Sequence, residues 1–297
     1  MSAPTPAIQL ENLNYAYGRA EAVRDLNLTV KPGRCYGLFG RNGAGKTTTM
    51  KCLLNLLRPQ SGKVRVFGMD PNRDEVAVKR RVAYVPDQVA FYPWMSVRET
   101  LDYLASFRQQ WNTKIEAELL ERFRLDPTKK TSALSKGQKT QVALIAAVCP
   151  ETDLLVLDEP TSGLDPIVRR EFIQTVIGTY QEGNPGQRTI LVSTHLIAEF
   201  EGLIDEFTIV DGGRAVLTLE ADAARERFQK IRARFTQQAP EINVGDALKV
   251  HRSGRELDLV VRTGGPEALE ALKGYRPESL SAESLTLEEI FVSVLQS

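Results

Sequence analysis

The chain has 297 residues, of which 42% are hydrophobic and 26% are charged, so it can form one large domain and a smaller one. Its 38 lysines and arginines balance 38 aspartates and glutamates, which excludes a global field that would attract nucleic acid. The start of the chain is not a secretory signal, and the longest apolar run, Val142 to Cys149, is too short to span a bilayer. We therefore expect a cytoplasmic protein without a nucleic-acid partner, for which any membrane role requires another chain.

The first elements along the chain are predicted strands. Ile8 to Val30 alternates polar and apolar residues around turn-forming residues, which predicts antiparallel strands. The tight turn Lys31-Pro32-Gly33 then leads into a short apolar strand, Arg34 to Phe39. A helix is predicted from Thr48 to Leu57, because its apolar residues recur on one face.

A glycine-rich loop, Gly40 to Thr47, lies between this strand and this helix and matches G-x-x-x-x-G-K-[ST]. Its glycines let the backbone turn N–H groups toward a phosphate, beside the positive end of the helix dipole. Lys46 is expected to reach the β- and γ-phosphates, and Thr47 to ligate Mg²⁺. The predicted nucleotide contacts in this stretch are Gly40, Asn42, Gly43, Ala44, Gly45, Lys46, Thr47 and Thr48. The pattern indicates a nucleoside triphosphate as ligand.

The middle of the chain is predicted to be a helical insert, at about residues 96–150, that follows strands at Lys63 to Phe67 and Val82 to Val85. Capping boxes are predicted at Ser96 to Glu99, Thr113 to Glu116 and Ser135 to Gln138. The helix that begins near Ser135 has a hydroxyl and a glycine at its N-terminus, so it is also a candidate anion site.

Two carboxylates, Asp158 and Glu159, follow the apolar run Leu154 to Leu157, which is typical of a buried parallel strand. Ligands bind at the carboxyl ends of such strands, so Asp158 is expected to hold Mg²⁺ and Glu159 to act as general base. The alternative is that both residues belong to a solvated loop. Further strands at Thr189 to Ser193 and Phe207 to Val210 complete an α/β core.

Past residue 220 the nucleotide motifs stop. The pattern predicts a hairpin over Ala247 to Arg262 that turns at Ser253-Gly254, a helix from Pro266 to Leu272, an irregular Tyr275 to Ser284, and a last helix capped by Thr286 to Glu289. The predicted fold class is therefore α/β: a phosphate-loop NTPase core with an antiparallel β subdomain and a helical insert in residues 1–220, and a small α+β accessory domain in residues 221–297.

The order of these motifs resembles the nucleotide-binding subunit of an ATP-binding-cassette (ABC) transporter over residues 7–220. Leu134 to Gln138 is similar to that family's Leu-Ser-Gly-Gly-Gln motif, with Lys136 in place of one glycine. The resemblance implies ATP as the nucleotide and a head-to-tail dimer with a second ATP-binding subunit, either a homodimer, which is favoured, or a heterodimer, with two ATP molecules in the interface. In that dimer Ser135, Gly137 and Gln138 would contact the ATP of the opposite subunit, and Lys136 would add a cation near its phosphate.

Further positions match the family residue by residue. Tyr17 resembles the aromatic that stacks on adenine, with Tyr15 as a competing candidate. Asp165 lies in a Ser162-Gly163-Leu164-Asp165 loop that resembles the one coupling the two sites, and it is also placed to cap a helix beginning at Pro166. His195 resembles the γ-phosphate histidine, which completes the predicted catalytic set with Lys46 and Glu159. Either Asp87 or Gln88 would fill the metal-contacting position of the glutamine loop.

The resemblance implies an ATPase subunit that drives a separate integral membrane subunit, on the cytoplasmic face of the membrane and in an exporter-type transporter. The partner would dock on residues 89–108, where Phe91, Tyr92, Trp94 and Met95 are expected to be exposed. The alternative for these side chains is that they fill the core of the helical insert. The alternative for the function is a soluble ABC-type ATPase that acts in cluster assembly.

Overall fold

The computed structural model describes residues 4–181, 188–242 and 247–296, and divides the chain into two compact units, Met1–Val216 and Leu217–Ser297. The predicted first domain ends at residue 220 and the first unit at Val216, and both positions lie in the strand Arg214–Glu220 of the six-stranded sheet. The outer limits of the predicted domains, residues 1 and 297, lie outside the described residues. None of the helices in the described residues is long and apolar enough to cross a membrane.

The first unit contains the antiparallel strands, the helical insert and the central sheet. Its elements in chain order are β1 (Ile8–Tyr17), β2 (Ala20–Val30), β3 (Cys35–Phe39), α1 (Lys46–Leu53), β4 (Ser61–Val66), α2 (Glu75–Arg81), β5 (Val82–Val85), α3 (Val97–Ala105), α4 (Thr113–Arg122), a short 3₁₀ turn (Thr131–Ala133), α5 (Lys136–Val148), β6 (Leu154–Asp158), α6 (Pro166–Gln181), β7 (Thr189–Thr194), α7 (Ile197–Phe200), β8 (Glu206–Asp211) and β9 (Arg214–Glu220).

The central sheet has six strands in the order β5-β6-β7-β3-β8-β9, and β5, β6, β7, β3 and β8 pair in parallel. All residues of β6 and β7 are buried, which explains the apolar runs Leu154 to Leu157 and Ile190 to Val192 within them. Because parallel strands end at the same edge of a sheet, the residues that follow β3, β6 and β7 converge there. The α/β fold class is confirmed, and this edge places the site.

A second sheet in this unit, β2-β1-β4, is antiparallel, as the alternation of Ile8 to Val30 predicts. Two predictions about the helices are wrong. α1 ends at Leu53 rather than Leu57, because Asn55 takes a left-handed conformation (φ 57°) that stops a right-handed helix. The box predicted at Thr113 is absent: the N-cap is Asn112, which accepts a hydrogen bond from the Ile115 amide, while Glu116 is buried against Arg98 and Trp111.

The capping boxes of α3 and α5 are confirmed. In each case the serine, Ser96 or Ser135, accepts from the backbone N–H three residues on, and the Glu99 or Gln138 side chain bonds back to the serine amide. These two boxes set where the helices of the insert begin. The box of α5 matters most, since it fixes the first turn of the helix that carries Gly137.

The second unit is an antiparallel sheet, β11-β12-β10-β13, with helices. Its elements are α8 (Ala221–Arg227), β10 (Gln229–Arg234), β11 (Ala247–Ser253), β12 (Glu256–Val261), α9 (Gly265–Gly274), β13 (Ser279–Ser284) and α10 (Leu287–Gln296). The predicted hairpin, the α9 helix and the Thr286 cap are present. The irregular segment predicted up to Ser284 is wrong, because β13 lacks β-branched and aromatic residues and is a strand through its pairing with β10.

Candidate active site

The phosphate-binding loop follows β3 and is held tightly against neighbouring backbone. A Cβ on Gly45 (φ 104°) would lie 2.3 Å from the Ala22 carbonyl oxygen, and a Cβ on Gly40 would lie 2.7 Å from that of Val210. Only glycine fits at these two positions. Gly43 also has a positive φ (83°), but a Cβ there would meet open space, so this part of the loop faces outward. The loop therefore forms a rigid backbone cradle of the kind that binds phosphate.

The other predicted contacts of the loop lie at its surface or beneath it. Ala44 is buried, and its carbonyl accepts a hydrogen bond from the Gly213 amide at 3.1 Å. Thr48 is buried in α1, and Asn42 is exposed at the outer side of the loop. The loop is thus fixed from below while its outer face is accessible.

Lys46 is the buried cation of the site, with 5% of its side chain exposed. Its Nζ donates hydrogen bonds to the carbonyl oxygens of Gly40 (2.7 Å) and Arg41 (3.2 Å). It also lies 2.9 Å from Glu159 Oε1, although that oxygen is buried and receives no hydrogen bond of acceptable geometry among the described residues. A buried carboxylate oxygen normally has a donor. Oε1 therefore faces only the Lys46 ammonium among the described residues, and it would accept from a water, as a general base must, once that ammonium moves away.

Asp158, at the end of β6, is fully buried. Its Oδ1 accepts from Thr47 Oγ1 at 3.0 Å and from Ser193 Oγ at 2.6 Å, and its Oδ2 accepts from the Tyr84 hydroxyl at 3.4 Å. Burial raises the pKa of Asp158, the two hydrogen bonds at Oδ1 lower it, and the charges of Asp87 and Glu159 raise it. A buried carboxylate beside a hydroxyl is a donor set of the kind that Mg²⁺ prefers.

The two candidates for the glutamine-loop position differ in their surroundings. The charge of Asp87 acts on Asp158 and on the Tyr84 hydroxyl, and its side chain is half-buried. Gln88 is exposed. Asp87 and Gln88 both remain candidates for the metal-contacting position.

Glu159 and His195 form a second pair. His195 Nδ1 lies 2.8 Å from Glu159 Oε2, and the His195 amide donates to the same oxygen at 3.3 Å. Glu159 has a left-handed backbone conformation (φ 46°), which costs about 1–2 kcal/mol for a residue with a side chain. The Glu159 amide donates to the Ser193 carbonyl at 2.9 Å and holds this conformation. Strain kept in this way is typical of functional positions.

The predicted residues of α5 are placed elsewhere. Ser135 is exposed, and its hydroxyl and the Gln138 side chain bond within the first turn of the helix rather than to the phosphate-binding loop. Gly137 packs on α6: a Cβ there would lie 3.3 Å from Val168 Cγ1. The structure thus brings Lys46, Thr47, Asp158, Glu159 and His195 together, and leaves the α5 residues outside that cluster.

Tyr17 and Asp165 are also exposed. The Tyr17 ring, at the end of β1, is 50% exposed and meets Tyr15 edge-on with 4.9 Å between ring centroids. Tyr15 packs against the buried core, which leaves Tyr17 as the ring with a free face. Asp165 Oδ1 accepts from the amides of Ile167 and Val168, both at 3.0 Å, so its predicted capping of α6 is confirmed.

Two residues of the site, Ser193 and Tyr84, are missed by the motifs. Ser193 lies opposite Asp158 in the parallel register of β6 and β7, and Tyr84 lies on β5, the other neighbour of β6. Burial and Asp158 raise the pKa of the Tyr84 hydroxyl, so it stays a donor. Both residues could have been predicted from the order of the strands in the sheet, but none of the sequence motifs gives that order.

Comparison with known proteins agrees with this geometry. The family model described as ABC transporter matches residues 23–162. The bacitracin transport ATP-binding protein BcrA of Bacillus licheniformis is 34% identical over 225 residues, covering 75% of this chain and 72% of that protein. The Nod factor export ATP-binding protein I of Burkholderia orbicola is 37% identical over 215 residues, covering 70% and 69%.

A solved structure, described as that of the ATP binding subunit of an ABC transporter, is 28% identical. It has a TM-score of 0.67 and covers 74% of this chain and 92% of its own. The phosphate-binding loop, Asp158 and Glu159 lie within the residues that the family model matches. The chain therefore belongs to the ATP-binding subunits of ABC transporters and is an ATPase.

Proposed function

We propose that the chain binds ATP with Mg²⁺, pairs head-to-tail with a second copy, and drives a separate integral membrane subunit from the cytoplasmic face of an exporter. The observation that carries the transport role is an apolar groove in the first unit, with a volume of about 800 Å³. Its lining includes Tyr84, whose hydroxyl reaches Asp158. A partner in this groove would thus contact Tyr84, which is hydrogen-bonded to Asp158 in the nucleotide site.

The buried cluster supports ATP hydrolysis in a direct way. Lys46 pairs with Glu159 in this arrangement, and triphosphate is the stronger anion at the loop, so binding would draw the ammonium to the phosphates. Glu159 would then be free to polarise water, with His195 holding Oε2. Thr47, Asp158 and one of the two glutamine-loop candidates would hold Mg²⁺, which supplies charge neutralisation at the phosphates.

The exposed residues support a second ATP-binding subunit. Ser135 and Asp165 are exposed, and Ile167 beside Asp165 is an apolar side chain with 72% exposure. Tyr17 has a free ring face at which adenine would stack. These side chains have the character of a surface that a partner covers, and a head-to-tail copy would bring Ser135, Gly137 and Gln138 to the opposite ATP.

The groove supports a membrane partner. Phe107 and Leu56 in its lining are 69% and 56% exposed. Next to it, Tyr92 and Trp94 are exposed and stack with 5.0 Å between ring centroids, while Phe91 and Met95 are half-buried and line the groove or its neighbouring cavity. Exposed aromatic side chains grouped beside an apolar groove are the kind of feature that marks an interaction site. The expected exposure of Phe91 and Met95 is wrong, because both are half-buried. The alternative, that the aromatics only fill the core of the insert, does not account for the exposure of Tyr92 and Trp94.

The export direction is supported by the name of one relative, a Nod factor export protein, while the name of the bacitracin relative gives transport without a direction. No feature of the nucleotide site distinguishes import from export, since hydrolysis uses the same residues in both. The direction therefore depends on the membrane partner.

Purification of the full chain from detergent-solubilised membranes tests the proposal. We expect a multi-spanning membrane protein to co-purify with the wild type and to be lost from Phe107→Asp, which places a charge in the groove. Tyr275→Asp is the matched control, because Tyr275 is an aromatic with 52% exposure in the second unit. Recovery of the wild-type chain from the soluble fraction alone, with no membrane protein bound, would favour a soluble ATPase instead.

A further inference from the structure

Lys136 makes a contact that its place in the motif does not predict. Its Nζ donates a hydrogen bond of 2.6 Å to the Ser162 carbonyl oxygen in the loop before α6. A Cβ on Gly163 (φ 69°) would lie 3.1 Å from the same Nζ, so the glycine leaves room for the ammonium. The cation expected near the partner's phosphate is therefore turned toward its own chain.

The loop that Lys136 holds is connected to the general base. The Ser162 amide donates to the Glu159 carbonyl at 3.1 Å, and the Leu164 amide donates to the Thr161 carbonyl at 3.2 Å. Thr161 Oγ1 in turn donates to Glu199 at 2.8 Å. These bonds make residues 159–164 a compact turn, so a displacement of Ser162 is passed to the Glu159 backbone.

The other end of the contact is the first turn of α5. Lys136 lies between Ser135 and Gly137, and Gly137 packs closely on Val168 at the start of α6. The apolar contact sets the distance between the two helices. The Lys136 hydrogen bond adds a directional, charge-assisted tie between α5 and the turn that carries Glu159.

We propose that Lys136 is a positioning residue that couples the first turn of α5 to Glu159 of the same chain. When Ser135 and Gly137 engage the neighbouring ATP, the tie moves Ser162 with them and sets the Glu159 carboxylate for hydrolysis at the chain's own site. The inference rests on the proposed head-to-tail arrangement. It differs from that arrangement in assigning Lys136 a partner within its own chain.

The competing role for Lys136 is a direct contact with the phosphate of the opposite ATP. The two roles separate kinetically. Loss of a phosphate contact weakens ATP binding and raises KM, whereas loss of a tie to Glu159 lowers kcat and leaves KM unchanged. Lys136 is exposed, so its replacement does not threaten folding.

The test compares the ATPase kinetics of the full-length wild type with those of Lys136→Met, Lys136→Arg and Lys114→Met. Methionine keeps the stem and removes the donor, and arginine keeps a donor. Lys114 is the control, a lysine of the helical insert with 86% of its side chain exposed. We expect Lys136→Met to lower kcat about five-fold with an unchanged KM, Lys136→Arg to restore most of it, and Lys114→Met to match the wild type.

A raised KM for Lys136→Met would overturn the inference in favour of the phosphate contact. Wild-type kcat in that variant, or an arginine variant as slow as the methionine one, would overturn it as well. A wild-type chain without ATPase activity would instead contradict the proposed function.

Discussion

The phosphate-binding loop and the N-terminus of α5 are both helix N-termini preceded by glycine or serine, yet they are built in opposite ways. Around the loop, Lys46 and Asp158 are buried and have partners within the chain. At α5, Ser135 and Lys136 are exposed, and the serine caps its own helix. The first end is held together within the chain, and the second is exposed, as the proposed head-to-tail arrangement requires.

The difference teaches which property belongs to one chain and which to a pair. Buried donors and carboxylates fix the phosphates and the water without help, because their positions do not depend on a partner. Exposed donors acquire catalytic strength only when a neighbouring surface excludes water from them. Binding of ATP to the loop of a single chain should therefore survive changes at α5, while turnover, which needs the pair, should not.

The largest expected effect comes from breaking the buried end. Lys46→Ala removes the ammonium that lies among Gly40, Arg41 and Glu159, and we expect roughly hundred-fold weaker ATP binding from the lost charged hydrogen bonds. Fluorescence titration with an ATP analogue measures it. Lys51→Ala, in the last turn of the same helix, is the control. Wild-type affinity in Lys46→Ala would contradict the assignment of the loop.

Breaking the exposed end should separate binding from turnover. Ser135→Arg places a bulky cation at the start of α5, where the opposite ATP would approach. We expect ATP affinity close to that of the wild type and a kcat lowered by about a hundred-fold, the size of effect seen when one transition-state donor is lost. Steady-state kinetics beside a binding titration measure both. An unchanged kcat would show that α5 takes no part in the site.

A smaller effect on ATP binding is expected at Tyr17. This residue is exposed, like those of α5, but it is predicted to contact the same ATP as the phosphate-binding loop. Tyr17→Ala removes a stacking surface, and we expect about ten-fold weaker ATP binding. Tyr17→Phe keeps the ring and should bind like the wild type. If Tyr15→Phe or Tyr17→Phe lost as much affinity as Tyr17→Ala, the role of the ring face would be wrong.

The smallest expected effect is on the reactivity of two thiols, which lie at the C-terminal ends of α1 and α5. Burial raises the pKa of Cys52 in α1 to about 11, and burial with Glu116 and Glu151 nearby raises that of Cys149 after α5 to about 12. At pH 8 both should react slowly with a disulfide reagent in the native protein and quickly after denaturation. Fast native labelling of Cys149 alone would show that α5 is less firmly packed than α1.

Much of this arrangement is predictable from local sequence. The loop, the two carboxylates at the end of β6 and the capping boxes at Ser96 and Ser135 each depend on residues a few positions apart. A short sequence pattern is therefore enough to predict them. The same holds for the hairpin β11–β12, whose two strands are joined by a tight turn that contains Gly254.

What the sequence does not predict depends on distant pairing or on competition between near neighbours. Strand β13 exists through its register with β10, and Ser193 meets Asp158 only because β6 and β7 are adjacent. At α4, Asn112 displaces the predicted Thr113 cap, since Glu116 is drawn away by Arg98 and Trp111. The partner of Lys136 is likewise a tertiary contact, across from α5 to the loop before α6.

The central claim is that one chain supplies half a site and a second chain completes it. Glu159→Gln removes the base and should leave ATP binding intact, so ATP should accumulate at the interface. Light scattering after gel filtration with ATP and Mg²⁺ should give twice the mass of one chain for Glu159→Gln, and a single-chain mass when Ser135→Arg is added. A Glu159→Gln chain that binds ATP and stays a monomer would contradict the account.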